Sequence, residues 1–424
     1  MLKKIKKYSS NALIRNVLTL VSGTAIAHAI TLIFTPIITR LYGPEEYGYL
    51  GVFTSAVYLI APFVSLTLPM AIVIAKTEKK AEQIFKASIT LNFLICIAIT
   101  LILLSSKDFI LTLLNAEKLS SVYLLIPVSI FSAGLFHSLE QWQIRKGKFK
   151  TLAQSLSLRS LFIGSSQSTL GIFNPQGYVL IGLYSLALIA QSGFLLYSSK
   201  ISNPLRQKIS TSIDILKEFR EFPVFRAPQV LLNSFALSLP TMLFASLYGS
   251  KIAGLYVIAF NILNMPIILI GKSVGDAFYP ELAKKHNENK EIHSTILKAT
   301  KGLIALGIIP FSIIAALGPW LFSVAFGDAW QQSGAFAQWM SVWLFLILIS
   351  RPAVAAISVL NLQKFLLFYE IITIVLRVGA IYLGVIQGDA ILSIAYLSIT
   401  NVLCYGFVMI YVYIKAKNKS SIQN

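Results

Sequence analysis

Residues 178–197 read YVLIGLYSLALIAQSGFLLY, twenty positions without one charged side chain. A helix of that length rises about 30 Å, the thickness of the hydrocarbon core of a bilayer. Working outward, comparable apolar windows fall at 13–39, 48–75, 84–104, 121–143, 152–172, 227–248, 253–277, 300–323, 334–360, 365–386 and 390–414. The links between them are mostly short and polar, such as Gly43-Pro44-Glu45-Glu46 and Gln387-Gly388-Asp389, and segments of that kind break helices. The expected fold class is therefore all-α, a polytopic membrane protein of about twelve transmembrane helices. Composition agrees, with 56% apolar and only 12% charged residues and a mean hydropathy of +0.74. A water-soluble domain carries roughly 25% charged residues, so a soluble enzyme is excluded. Lys3, Lys4, Lys6 and Lys7 precede the first window in the manner of a signal peptide, but the apolar run is too long for one and reads as a retained span.

A net charge of +19 in a soluble protein would suggest nucleic acid; in a membrane protein the bias of loops facing the cytoplasm comes first. Twelve crossings with a cytoplasmic N-terminus place 28 of the 36 Lys and Arg residues on the cytoplasmic side. Only Arg40, Lys107, Lys118 and Lys251 fall on the opposite side, and Arg159, Lys272, Arg351 and Arg377 lie within spans. One missed helix would scramble the alternation after it, so the split supports both the count and the orientation. Both termini are expected in the cytoplasm, and no nucleic-acid partner is implied. Loops on the far side are too short for a folded domain. The longer connections, 198–226 and 278–299, are cytoplasmic, and Ile215, Leu216 and Phe219 in the first predict a short interfacial helix.

The second half echoes the first. Leu41-Tyr42-Gly43 matches Leu247-Tyr248-Gly249 at an offset of 206, and Gly48 matches Gly254 at the same offset. Ile84-Phe85-Lys86-Ala87-Ser88 resembles Ile296-Leu297-Lys298-Ala299-Thr300 at an offset of 212. Six helices, an even number, separate the copies, so both face the same way. The chain is expected to form two parallel-repeat six-helix lobes, 1–208 and 209–424, with a substrate site between them as in parallel-repeat transporters.

Charges inside a bilayer cost at least about 2.5–3.5 kcal/mol each on insertion scales, so they mark cavities or partners. Arg159 stands in an unusually polar fifth span, sharing a stripe with Ser155 and Ser166. Asn261, Asn264, Lys272 and Gly275 share one arc of the eighth. Lys272 reads equally as half of a local ion pair with Asp276, one turn later. Arg351 precedes Pro352, whose missing N–H frees a carbonyl that a guanidinium can bind. Arg377 follows Glu370 by seven residues, about 10 Å along the axis and too far for a direct pair, which makes it the leading candidate for a substrate contact. In the first span Thr24, His28, Thr31, Thr35 and Thr39 form an arc, read as helix packing through small hydroxyls or, at His28, as a titrating coupling group. Intramembrane acids are few (Glu140, Asp276 and Glu370), so the central polar surface is biased positive. Such a surface suits an anion, and arginine suits phosphate because its planar fork binds two oxygens. Trp320, Trp330, Trp339 and Trp343 read as an interfacial aromatic belt or as sugar-stacking faces. The two cysteines sit in apolar runs, the four histidines form no ligand-spaced cluster, and no phosphate-binding Gly-x-x-x-x-Gly-Lys loop is present. No catalytic residue, metal or cofactor is therefore expected.

The stretch Arg15-Asn16-Val17-Leu18-Thr19-Leu20, with Gly23, Pro36 and Thr39-Arg40-Leu41-Tyr42-Gly43-Pro44-Glu45-Glu46-Tyr47-Gly48, resembles the opening of the polysaccharide-biosynthesis flippase family. These are the O-antigen or lipid-linked oligosaccharide flippases of the multidrug/oligosaccharidyl-lipid/polysaccharide exporter superfamily. Where family members often carry glutamine this chain has His28, so no family role transfers to that position. The resemblance implies that an undecaprenyl-diphosphate-linked oligosaccharide is moved from the cytoplasmic to the periplasmic leaflet of a bacterial inner membrane, without covalent chemistry. It also implies the bilayer and other surface-polysaccharide assembly proteins as partners. The residues fit that expectation: Arg377, Arg351, Arg159 and Lys272 would neutralise the diphosphate, and Asn261 and Asn264 would meet the sugars. Glu370, Asp276 and His28 are the candidates for ion coupling. The alternatives are a multidrug or cation antiporter of the same superfamily, which would want acids deep in the N-terminal lobe, and a membrane glycan polymerase or ligase, which would want a large periplasmic loop.

Overall fold

A computed structural model of the chain describes residues 12–201, 209–288, 291–360 and 362–421. Among the described residues every regular element is helical: α1 (Ala12–Leu41), α2 (Pro44–Ile60), α3 (Ala71–Ile74), α4 (Glu78–Ser105), α5 (Lys107–Leu113), α6 (Leu125–Arg145), α7 (Phe149–Phe173) and α8 (Gly177–Ser199). There follow α9 (Ile209–Glu218), α10 (Ala227–Tyr248), α11 (Ser250–Asn287), α12 (His293–Phe326), α13 (Gln331–Val359), α14 (Gln363–Ile386) and α15 (Ala390–Ser421). Nine of the described segments are long and apolar enough to cross a membrane. The other three expected windows are helical too. The α2 helix has only 17 residues, α6 carries His137, Glu140 and Arg145, and α7 is rich in serine.

The chain divides into two compact units, Met1–Gly254 and Leu255–Asn424. In the first, packing directions alternate as single crossings require. Ser157 Oγ donates to the Gly23 carbonyl at 3.4 Å, Thr31 Oγ1 to Ser160 Oγ at 3.4 Å, and Tyr42 Oη to the Gln167 carbonyl at 3.3 Å. Residue numbers rise together along α1 and α7, so the two helices run parallel. An odd number of crossings must then separate them, and α2, α4 and α6 supply three. The hydroxyls of Thr24, Thr31, Thr35 and Thr39 each donate to the carbonyl four residues back, at 2.7–3.0 Å. The threonine arc thus satisfies itself on its own helix and leaves a packing surface.

The window at 48–75 is not one helix. The α2 helix ends at Ile60, and the chain turns through Leu66 and Thr67, both left-handed at φ 49° and 54°, before a 3-10 turn at Leu68–Met70 and the single-turn α3. Pro62 and Pro69 lack the N–H a continuing helix needs. A left-handed β-branched residue is uncommon, and Thr67 is held there by donating from Oγ1 to the Phe222 carbonyl at 3.2 Å. A four-residue helix bonds none of its last carbonyls internally. Arg145, at the end of α6, collects them: one η nitrogen lies 2.9, 3.2 and 2.8 Å from the carbonyls of Ile72, Val73 and Ala75, and Nε lies 3.4 Å from Glu78. Orphaned buried carbonyls cost about 1–3 kcal/mol. Arg145→Ala is therefore expected to lower stability by about 2 kcal/mol, seen as a drop of several degrees in the melting temperature of the detergent-purified protein; an unchanged melt would refute the capping role. The α9 helix, where a short helix is expected, inserts Ile215 into the apolar cluster formed by Leu68, Ile84, Phe85, Leu139 and Trp142.

The stretch Tyr42–Gly48 ties several loops together. Glu46 accepts the Gly177 N–H at the start of α8, where a carboxylate also meets the favourable end of the helix dipole. Glu45 Oε1 accepts from Lys118 at 2.7 Å and from Tyr49 Oη at 3.2 Å. A Cβ on Gly48 would stand 1.7 Å from the Ser250 carbonyl oxygen, and one on Gly254 would stand 1.9 Å from that of Pro44. Ser250 is Pro44 shifted by 206 positions and Gly254 is Gly48 shifted by the same amount, so the matched segments touch each other reciprocally.

In the second unit α12 and α13 form an antiparallel hairpin, with Gln338 Nε2 donating to the Ala315 carbonyl at 2.9 Å. The α15 helix packs broadly on both α13 and α14, while α13 and α14 barely touch. Leu282, Ile296, Ile357, Val408 and Val412 form the core at one end. The aromatic-belt reading fits Trp320 and Trp339, which are exposed, but Trp330 and Trp343 are buried. Trp343 stacks on Phe260.

Candidate functional site

Arg351 on α13 and Arg377 on α14 project over the same face of α15. Since their parent helices barely touch, α15 is the floor beneath both. Arg377 Nε donates to Asn401 Oδ1 at 2.8 Å, and its guanidinium lies 6.0 Å from the Tyr405 ring centre. Asn401 is buried, and its Nδ2 donates to the Leu397 carbonyl at 2.9 Å. That bond fixes the amide, so its oxygen must face Arg377. Tyr405 is also the electrostatic neighbour of Arg351. Across from Arg351 stands α11, where a Cβ on Gly271 would lie 2.9 Å from Arg351 Nε. A side chain at 271 would push the guanidinium from the place it holds here.

The expected bond from Arg351 to a carbonyl freed by Pro352 is not formed by Nε, which is buried without a hydrogen-bond partner. Among the described residues neither Arg351 nor Arg377 has an acidic partner within 4.0 Å. Two uncompensated guanidiniums in a low-dielectric setting repel each other and attract an anion. The arrangement sets two phosphate-shaped forks and a fixed amide around Tyr405.

The other expected site residues lie as follows. Asn264, half-buried, is two turns before Gly271 on the same face of α11, and Asn261 is exposed one turn earlier. The side chains of Lys272 and Asp276 fall outside the described residues. Glu370 is half-buried on α14, as is His28 on α1. Arg159 belongs to the first unit, with its guanidinium 5.2 Å from the centre of the Tyr184 ring. Sequence reasoning found the arginines by their charge. It missed Asn401, Tyr405 and Gly271, of which only Asn401, a lone amide in an apolar run, carried a signal.

The sequence model of the polysaccharide biosynthesis proteins matches residues 37–335, most of the chain, and the chain belongs to that family. A relative, the teichuronic acid biosynthesis protein TuaB of Bacillus subtilis (strain 168), is 20% identical over 341 residues, covering 79% of this chain and 69% of TuaB. Among solved structures, an inward-facing MATE-family multidrug resistance transporter of the MOP superfamily superposes with a TM-score of 0.75 at 15% identity, over 94% of this chain and 99% of that one. The lipid II flippase MurJ, in an inward closed conformation, gives 0.76 at 14% identity, over 96% and 91%. The fold is thus that of the MOP-superfamily transporters, and the chain is a multi-pass membrane protein of polysaccharide biosynthesis.

Proposed function

We propose that the protein is a flippase that carries an undecaprenyl-diphosphate-linked oligosaccharide from the cytoplasmic to the periplasmic leaflet of a bacterial inner membrane. The observation that carries this reading is the convergence of Arg351 and Arg377 on Tyr405 without an acidic partner. A diphosphate offers the charge and the paired oxygens that two planar forks demand. Lys272 and Arg159 are the two further basic residues to test for a part in neutralising the diphosphate. Asn261 and Asn264, short of the arginine contact along α11, meet sugar hydroxyls. The halves 1–208 and 209–424 act as the two lobes of an alternating-access cycle, both termini stay cytoplasmic, and Glu370, Asp276 and His28 are the groups to test for ion coupling. The family and the names of its relatives support a role in polysaccharide assembly, and no bond-making step is required of the chain. A cationic drug is poorly served by a site whose charged side chains, Arg351 and Arg377, are both positive.

Mass spectrometry of lipids that copurify with the protein, taken from cells accumulating the lipid-linked precursor, tests the cargo. A polyprenyl-diphosphate glycan is expected with the wild type and absent with Arg377→Ala. Recovery of phospholipids alone from the wild type would refute the reading.

A further inference from the structure

Arg377 is held differently from basic side chains outside the spans. Those pair with carboxylates: Lys118 with Glu45 at 2.7 Å, and Arg145 and Lys146 with Glu78. The acceptor that Arg377 Nε meets at 2.8 Å is Oδ1 of Asn401, an amide. Asn401 is 3% exposed, and its Nδ2 donates to the Leu397 carbonyl one turn back on α15 at 2.9 Å. Turning the amide over would set N–H against N–H at Arg377 and oxygen against oxygen at Leu397. A fixed dipole thus holds one edge of the guanidinium, whose central carbon lies 6.0 Å from the centre of the Tyr405 ring.

An aspartate has the same shape as an asparagine, and its charge would grip a guanidinium more strongly. It would also cancel the positive charge. An amide supplies the hydrogen bond and leaves the whole charge of Arg377 for another partner. Because Nε is taken, an anion meets the fork end-on, through the two η nitrogens, whose parallel N–H bonds match a pair of phosphate oxygens. A long side chain already held in one rotamer also loses less freedom when the anion arrives.

We propose that Asn401 is the positioning residue of the anion site, aiming Arg377 end-on at a diphosphate without neutralising it. This role rests on the anion reading above, and it makes an uncharged side chain at position 401 a requirement of binding.

The test is the melting temperature of the purified full chain in phosphatidylcholine nanodiscs, titrated with farnesyl diphosphate. Farnesol serves as the control for the apolar tail. A ligand that binds only the folded state raises the melting temperature with concentration, which gives an affinity. Wild type is expected to respond to the diphosphate and not to farnesol. Asn401→Asp is expected to lose about ten- to a hundredfold in affinity, as loss of one fork would. Asn401→Leu, similar in size without acceptor or charge, is expected to lose about two- to tenfold. In an Arg377→Ala background Asn401→Leu costs nothing further, since the amide acts only through that guanidinium. A purely structural amide would instead lower the unliganded melting temperature and leave affinity unchanged. Wild-type affinity in Asn401→Asp, or an equal loss from Asn401→Leu with and without Arg377, overturns the proposal and leaves the anion reading standing. Should the aspartate variant not fold, the Asn401→Leu pair decides alone. A wild type that farnesyl diphosphate shifts no more than farnesol does overturns both.

Discussion

Cells whose only copy of the gene encodes Arg351→Ala together with Arg377→Ala are expected to make no surface glycan, although the protein reaches the membrane at its normal level. Each charge-assisted hydrogen bond to a phosphate is worth about 1.5–3 kcal/mol, or roughly ten- to a hundredfold in affinity. Removing both forks therefore weakens the hold on a diphosphate by about 10²–10⁴ if the two act independently. Folding should not suffer in proportion. These guanidiniums have no acidic partners among the described residues, so their removal relieves a burial cost and strands no opposite charge. Only Asn401 loses a partner, and its amide keeps the bond to the Leu397 carbonyl. Arg377→Lys should fall between wild type and Arg377→Ala, since it keeps the charge and loses the planar fork. Immunoblotting of surface glycan and quantitation of the membrane-inserted protein give both readouts. Normal glycan at normal expression would refute the anion cleft.

The second large effect is expected at a crossing far in sequence from any charge inside a span. Gly48→Ala and Gly254→Ala each place a methyl group inside the van der Waals radius of a backbone carbonyl oxygen, on Ser250 and Pro44. The colliding atom is Cβ itself, so no rotamer escapes, and no side-chain change at Ser250 or Pro44 can make room. The helices must move apart, which costs about 1–3 kcal/mol in tightly packed interiors, and the upper end of that range is expected here. Because both changes open one crossing, the double variant should lose much less than the two single losses added together. Thermal melting and membrane abundance measure this. A wild-type melting temperature for Gly48→Ala would refute the close crossing.

Most of the architecture is legible in the sequence because lipid imposes a strong rule: a spanning helix must be long and apolar. The parallel run of α1 beside α7 follows from the same parity of crossings that sorts the basic residues. The break at 61–70 is hard to see in the sequence because its prolines lie in a run that carries no charge and only the small hydroxyls of Ser65 and Thr67. Arg351 and Arg377 stand out singly as charges among aliphatics. Their convergence does not, since it depends on α15 lying under both helices, and periodicity within one helix says nothing about its neighbours. Gly271 is the extreme case: its contribution is space, and a missing side chain writes no pattern. Periodicity sets Arg159 in a polar stripe with Ser155 and Ser166, whereas the ring under its guanidinium, Tyr184, sits on the next helix.

The parallel pairing of α1 with α7 also sets a clock on synthesis. The helix that covers the threonine face of α1 does not begin until Phe149, about 110 residues after α1 has ended at Leu41. At roughly 5–20 residues per second of chain growth, α1 resides in the bilayer for some 5–20 s before its partner exists. During that wait its four hydroxyls have only their own helix's carbonyls to bond. They keep those bonds in the finished protein, where Thr31 adds a contact to Ser160 of α7 at 3.4 Å, so the nascent helix breaks none of them when α7 arrives.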